Sequence, residues 1–471
     1  MSIKTPPAVR AKALGLHDSV LRLIDKPGPR YTSYPTADRF SSKVGPADYE
    51  LALNQRARSG ANASPVGAYV HVPFCESVCY YCACNKVVTR QHGRAQAYLD
   101  ALGHEIRLHA QVLGYRTPIS TLHLGGGTPT FLTDEELTRL MRMVREHFTF
   151  AQGAELAIEV DPRTVSDARL GHLSSLGFNR LSMGVQDFDP QVQQAIHRVQ
   201  SPEQVEGLVR DARLLGYDSI NLDLIYGLPL QNEASFARTL DQVTAIRPNR
   251  LALYAYAHLP KRFKPQRRLD ETQLPTAAAR LAMLGQAIEH LLGAGYVYIG
   301  MDHFALPDDE LAVAKHQGRL HRNFQGYTTM SDVDLIGLGV SSIGRVGTRY
   351  VQNHKEVSAY QQAVAHGEFA VERGIRLTRD DLLRRSVIMA LMCQGRVEFE
   401  SIELAHLINF REAFGPELQT LTAWEEQGML RLESDAIEVT DLGWYGVRAM
   451  AMVFDRHLAS ASSPATFSRI V

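Results

Sequence analysis

The chain has 471 residues, 45% of them hydrophobic and 21% charged, and a formal net charge of −1. These are ordinary globular values, and the length calls for a large domain with additions rather than one average core. A near-neutral balance excludes a bulk field that would draw the protein to nucleic acid or to an anionic membrane.

The N-terminal stretch MSIKTPPAVRAKALGLHDSV lacks the apolar core of a signal peptide, and no apolar run reaches bilayer-spanning length. A soluble cytoplasmic protein without membrane or nucleic-acid partners is therefore expected. An early helix-like stretch is broken at Pro27, Gly28 and Pro29. PRYTSYPTADRF follows, rich in tyrosine and proline and without periodicity; composition alone makes it a surface strap within an N-terminal arm over 1–62.

From about residue 66 strands and helices alternate. GAYVHVPF reads as a strand and AQAYLDALGHEIRLHAQVLG as a helix. STLHLGGGTPT is a strand ending in glycines. TDEELTRLMRMVREHF is a helix with Thr133 as N-cap and Glu136 closing a capping box. ELAIEVDP, NRLSMGVQ, SINLDLIYGLP and RLALYAYAH are further strands separated by helical stretches, and YVYIGMDHF adds a late one. This alternation predicts an α/β fold, a partial parallel (β/α)6-type barrel over 63–360, with the site built by the loops after the strands. After about residue 365 the alternation stops. Residues 361–471 predict a smaller, mostly α, winged-helix-like domain with a strand pair around MLRLE and AIEVT, whose expected role is to cover the barrel.

Four of the five cysteines fall in HVPFCESVCYYCACNKVVTR, just after the first strand. In a reducing compartment such a cluster reads as metal-binding or catalytic rather than disulfide. Cys75, Cys79 and Cys82 form C-x3-C-x2-C, with Cys84 one residue further on. Structural zinc is one alternative, but it usually takes two ligand pairs from separate segments, and no second pair stands elsewhere at such spacing. An iron–sulfur cluster is the other: three thiolates can wrap one cubane and leave its fourth iron open.

The motif after the first strand of a parallel barrel resembles the radical S-adenosylmethionine superfamily, as does the aromatic Tyr81 before the third cysteine. LGGGTPT supports the resemblance, since bare glycine backbone can approach a ligand that side chains would block. In that superfamily the open iron chelates S-adenosylmethionine, and an electron from the cluster cleaves it to methionine and a 5′-deoxyadenosyl radical. PGPRYTSYPTA, IEVDPR, NRLSMGVQDF, DLIYGLP, YAHLP, GMDHFA, HRNFQGYTT and GLGVSSIG narrow the resemblance to the oxygen-independent coproporphyrinogen III oxidases of haem biosynthesis. The likeness runs from about residue 27 to the C-terminus and is closest from 66 to 345.

The resemblance implies oxidative decarboxylation of two coproporphyrinogen III propionates to vinyl groups, giving protoporphyrinogen IX. It implies a 4Fe–4S cluster held by Cys75, Cys79 and Cys82 and two S-adenosylmethionine molecules per chain. Tyr69, Gly126, Glu159 and Ile343 would contact the first, and Tyr81, Gly127, Thr128, Gln186, Arg198, Asp223 and Ala257 the second. Tyr69, Glu159, Gln325 and Arg30 make up the implied catalytic set, with Gln325 a pocket residue and Arg30 a partner for substrate carboxylates. The run Lys261, Arg262, Lys264, Arg267 and Arg268 is a second carboxylate candidate, or else a solvated loop. Cys84 is expected outside the ligand set and Cys393 in the core. A flavodoxin or ferredoxin is the expected electron donor, and a monomer the expected state. The alternative within the resemblance is a related haem chaperone, which usually lacks the fourth cysteine and the PRYTSYPTA arm; both are present here. A zinc-stabilised nucleic-acid module is disfavoured by the absence of a basic stripe.

Overall fold

The structure, a computed structural model, describes residues 23–24, 26–59, 64–330, 333–459 and 467. The helix-like stretch expected before Pro27 falls mostly outside the described residues.

Seven strands run parallel: β1 (Val66–Val72), β2 (Pro118–Gly126), β3 (Thr149–Val160), β4 (Arg180–Gln186), β5 (Ser219–Tyr226), β6 (Arg250–Ala255) and, across β1 from β2, β9 (Leu335–Leu338). Antiparallel strands extend both edges: β7 (Val297–Gly300) and β8 (His303–Ala305) beyond β6, and β10 (Ile343–Val346), β11 (Arg349–Asn353) and β12 (Val371–Arg376) beyond β9. The order is β12-β11-β10-β9-β1-β2-β3-β4-β5-β6-β8-β7, an open barrel-like sheet of twelve strands. The late strand expected at YVYIGMDHF is this antiparallel pair. The sheet also runs past residue 360, where the sequence pattern would start the second domain, because β12 pairs with β11.

The physical reason for the parallel core is in the residues. Val66, Ala68, Val70 and Val72 of β1 are fully buried, as expected of a strand covered on both faces. Helices Gly93–Leu113, Asp134–His147, Asp167–Ser175, Pro202–Leu214 and Glu233–Ile246 cross between successive strands. The capping box forms as its spacing predicts: the Thr133 N–H donates to Glu136 Oε2 (2.8 Å) and the Glu136 N–H to Thr133 Oγ1 (3.2 Å).

Beyond β12, helices Arg379–Gln394, Phe399–His406 and Gly415–Glu425 pack round a three-stranded antiparallel sheet with Ala436–Val439 at its centre. The expected strand pair is thus joined by a third strand, Arg396–Glu398. Cys393 is buried there. The arm corrects a sequence expectation. Tyr31 and Tyr34 are 0% exposed, so PRYTSYPT is no surface strap. It is packed into the second hydrophobic core, with Ile299, Tyr327, Met450 and Phe454.

Candidate active site

The cysteine loop leaves β1 and is fixed by backbone hydrogen bonds. The Val87 N–H donates to Pro73 O (2.7 Å), Thr89 N–H to Cys75 O (2.9 Å) and Tyr80 N–H to Ile196 O (2.9 Å). Gln266 is buried and donates to the carbonyls of Tyr81 (2.9 Å) and Ala257 (3.1 Å), tying the loop to the segment after β6. The sequence reading missed this residue, because it sits inside the basic run. The neighbouring cations Lys261, Arg262, Lys264, Arg267 and Arg268 are exposed, as a solvated loop would have them.

Against this loop packs the glycine turn after β2. The Gly127 N–H donates to Val72 O (2.8 Å) and the Thr128 N–H to Phe74 O (2.9 Å). A Cβ on Gly127 would lie 2.7 Å from Phe74 O, so no other residue allows this approach. Gly126 has φ +116, and a Cβ there would meet the His71 ring at 2.7 Å.

Between them lies a cavity of about 410 Å3. Cys75, Cys79 and Cys82 line one wall with Tyr81. Gly126, Gly127 and Thr128 form a second wall, and Glu159, Gln186 and Asp223 reach in from β3, β4 and β5 and Arg198 from the loop after helix Pro190–Ala195. The structure therefore brings together eleven of the residues singled out from the sequence. Tyr69 stands behind them on β1, its ring stacked 5.8 Å from His123.

Four fall elsewhere. Ala257 lines a second cavity of about 310 Å3 with Tyr226, Gly227 and Tyr256. Ile343 packs beside Phe40 and Tyr350. Gln325 is in the turn of the hairpin His321–Asn323/Gly326–Thr328, its Nε2 buried without a hydrogen-bond partner. Arg30 lies over the Tyr254 ring (5.1 Å), which itself lines the main cavity, but its charge is already paired with Asp302.

Charge is distributed unevenly round the cavity. Withdrawal from water would raise the Glu159 carboxyl, but hydrogen bonds from His123 Nε2 (3.0 Å) and the Gly126 N–H (3.3 Å) outweigh it and hold Glu159 below the usual range. Asp223 accepts from Asn221 (2.9 Å) and Ser182 (3.3 Å), yet burial, aided by the charge of Glu159, pushes it up to about 6. Asp161, missed in the sequence, is 6% exposed and receives Arg163 Nη2 (2.6 Å) and Arg198 Nη1 (3.1 Å). Both guanidinium groups also reach Cys79 Sγ, at 3.8 Å and 3.6 Å. The IEVDPR motif was the available signal for Asp161 and Arg163; only the fold shows that Arg163 addresses a cysteine and that Asp161 braces both arginines that do.

These residues fit a 4Fe–4S cluster and S-adenosylmethionine. Three thiols share one cavity, cationic donors face a sulfur where negative charge would accumulate, and a side-chain-free backbone wall stands opposite an anionic carboxylate suited to an ammonium group. The neighbouring Cys84 and Lys86 favour the thiolate of Cys82.

A model of the radical SAM superfamily matches residues 69–243, and one of the HemN C-terminal domain matches 377–445. An oxygen-independent coproporphyrinogen III oxidase of Pseudomonas aeruginosa is 47% identical over 454 residues, 96% of this chain and 98% of its own length. Its counterpart from Salmonella typhimurium is 48% identical over 444 residues, 94% of this chain and 96% of its own. The solved structure of coproporphyrinogen III oxidase from Escherichia coli, described as a radical SAM enzyme, matches with a TM-score of 0.87 at 45% identity, covering 91% of this chain and 97% of that one.

Proposed function

This chain belongs to the family of oxygen-independent coproporphyrinogen III oxidases, and from that premise we propose how its residues carry the reaction. The enzyme is an oxidoreductase that turns two propionates of coproporphyrinogen III into vinyl groups, with a 4Fe–4S cluster and S-adenosylmethionine as cofactors. When bound, the reduced cluster and S-adenosylmethionine supply a primary carbon radical able to take hydrogen from an unactivated carbon, which no side-chain base can do.

In our reading Cys75, Cys79 and Cys82 hold the cluster, while Cys84 stays outside the ligand set. Glu159, kept anionic by His123 and the Gly126 N–H, receives the amino group of the first S-adenosylmethionine. Tyr69 and Ile343 complete that site. Tyr81, Gly127, Thr128, Gln186, Arg198, Asp223 and Ala257 form the second, with Arg198 braced by Asp161. The arm, over its described residues 26–59, closes the site, the barrel catalyses and the C-terminal helices cover it. Arg30 and Gln325 face the substrate from the closing side. We take the chain to act as a cytoplasmic monomer reduced by a flavodoxin or ferredoxin.

The observation that carries this reading is the single cavity shared by the three thiols and by the polar ends of β3, β4 and β5. Its test is anaerobic reconstitution with iron and sulfide, followed by assay for 5′-deoxyadenosine and vinyl product. Two S-adenosylmethionine molecules consumed per protoporphyrinogen are expected. A chain that takes up zinc but no iron at this loop would refute it.

A further inference from the structure

On the side of Tyr254 that faces the arm, the structure gathers cations. Burial, and Arg322 beside it, lower Arg30, and burial with Arg30 and Arg322 beside it brings Arg448 down to about 9. Two of the three are engaged by the protein. Arg30 pairs with Asp302, and Arg448 donates to Gly28 O and to Pro29 O (2.8 Å).

Arg322 differs. It is 5% exposed and stacks over the Tyr327 ring at 4.5 Å. Its Nε and Nη1 are buried with no hydrogen-bond partner, as is Nε2 of Gln325 in the same hairpin turn. A guanidinium with buried, unsatisfied donors is costly, and native folds seldom keep one without a use. Arg322 also lines a cavity of about 30 Å3, bounded on the arm side by Thr32 and Ser33. That is room for a small polar group. Arg345 and Arg385, each already bonded to the protein, add positive charge to the same wall.

A buried cation with two unpartnered N–H donors calls for an anionic acceptor, and a carboxylate supplies one. We propose that Arg322, with Gln325 beside it, receives a propionate carboxylate of the porphyrinogen and so seats the macrocycle under the arm. The assignment rests on the reading of the substrate as a tetracarboxylic porphyrinogen. It moves the anchoring role from Arg30, whose charge Asp302 already meets, to a residue that composition and motif did not single out.

The test is equilibrium titration of the reconstituted enzyme with coproporphyrin III, the air-stable tetra-acid, and with its tetramethyl ester. Arg322→Gln is expected to weaken tetra-acid binding about tenfold to a hundredfold, as loss of a charge-assisted pair does. Its iron content should be unchanged. Arg322→Lys, which keeps the charge but not the planar guanidinium, is expected to bind with intermediate affinity and serves should the glutamine variant fold poorly. Variants that bind the tetra-acid within twofold of wild type overturn the inference and leave the family reading intact. A wild-type enzyme that does not distinguish the acid from the ester overturns both.

Discussion

Cys84 and Asp223 show how single side chains in this cavity are set apart by their surroundings. Cys84 is exposed and lies two residues beyond Cys82, awkwardly placed to ligate the same cubane. Cys84→Ser should therefore retain its cluster iron, whereas Cys75→Ser should lose it; equal loss, measured by iron and sulfide content, would make Cys84 a ligand. Glu159 and Asp223 are two carboxyls pushed in opposite directions, the arrangement by which one site holds a fixed anion beside a titrating group. Asp223 binds its proton more tightly folded than unfolded, so its contribution costs stability once pH rises through about 6 and that cost disappears as pH falls toward about 4. Asp223→Asn should accordingly be more stable than wild type by about 1 kcal/mol at pH 7.5, with the gap closing by about pH 4. Thermal unfolding across that range checks the sign. Because Asp223 also lines the cavity, the same variant should bind S-adenosylmethionine more weakly.

At the scale of the element, helix Gly93–Leu113 does more than cover the sheet. Glu105 is 1% exposed and accepts from the Gly339 N–H (2.6 Å), Asn353 Nδ2 (2.7 Å) and Tyr360 OH (2.7 Å). Tyr98 OH donates to His71 O (2.7 Å) and accepts from the Val340 N–H (2.9 Å). The two side chains fasten the end of β1, which leads to the cysteines, to the turn between β9 and β10, which presents Ile343. Burial pushes Glu105 up to about 7, against the pull of its three donors. Glu105→Gln sets an amide NH2 against either the Gly339 N–H or the Asn353 Nδ2, both donors, and should cost about 2–3 kcal/mol in urea unfolding while sparing cluster iron. A neutral result would mean that the turn holds itself. The strands, the crossover helices and the Thr133 capping box were legible because each is written in contiguous residues with the right period. Glu105 was not, because its partners lie 234 to 255 residues away and a glutamate in a mixed helix reads as surface. β9 escaped for a related reason: four residues buried on both faces carry no alternation to mark them as a strand.

The whole molecule is closed by its arm. Tyr31 OH donates to Asp455 (2.9 Å), Arg448 holds the carbonyls of Gly28 and Pro29, and Ser41 exchanges backbone hydrogen bonds with Gly374 of β12 (2.8 and 3.0 Å). The segment from residue 26 to residue 41 is thus bound to the barrel sheet and to the C-terminal helices at once. Tyrosines and prolines without period look like a solvated strap; contacts more than 400 residues away in sequence bury them, which no local pattern encodes. If closure by this arm shapes the substrate side of the cavity, loosening it should leave the cysteine end untouched. Arg448→Ala removes the donors to two buried carbonyls and should cost about 2–4 kcal/mol, whereas Tyr31→Phe removes one hydrogen bond and should cost about 1 kcal/mol. Both should raise KM for coproporphyrinogen III in that order, with iron content and uncoupled S-adenosylmethionine cleavage close to wild type, and both should speed proteolysis between residues 26 and 45. An Arg448→Ala enzyme that keeps its KM and its protease resistance would show that the C-terminal helices merely rest on the arm, and that the barrel alone fixes the substrate.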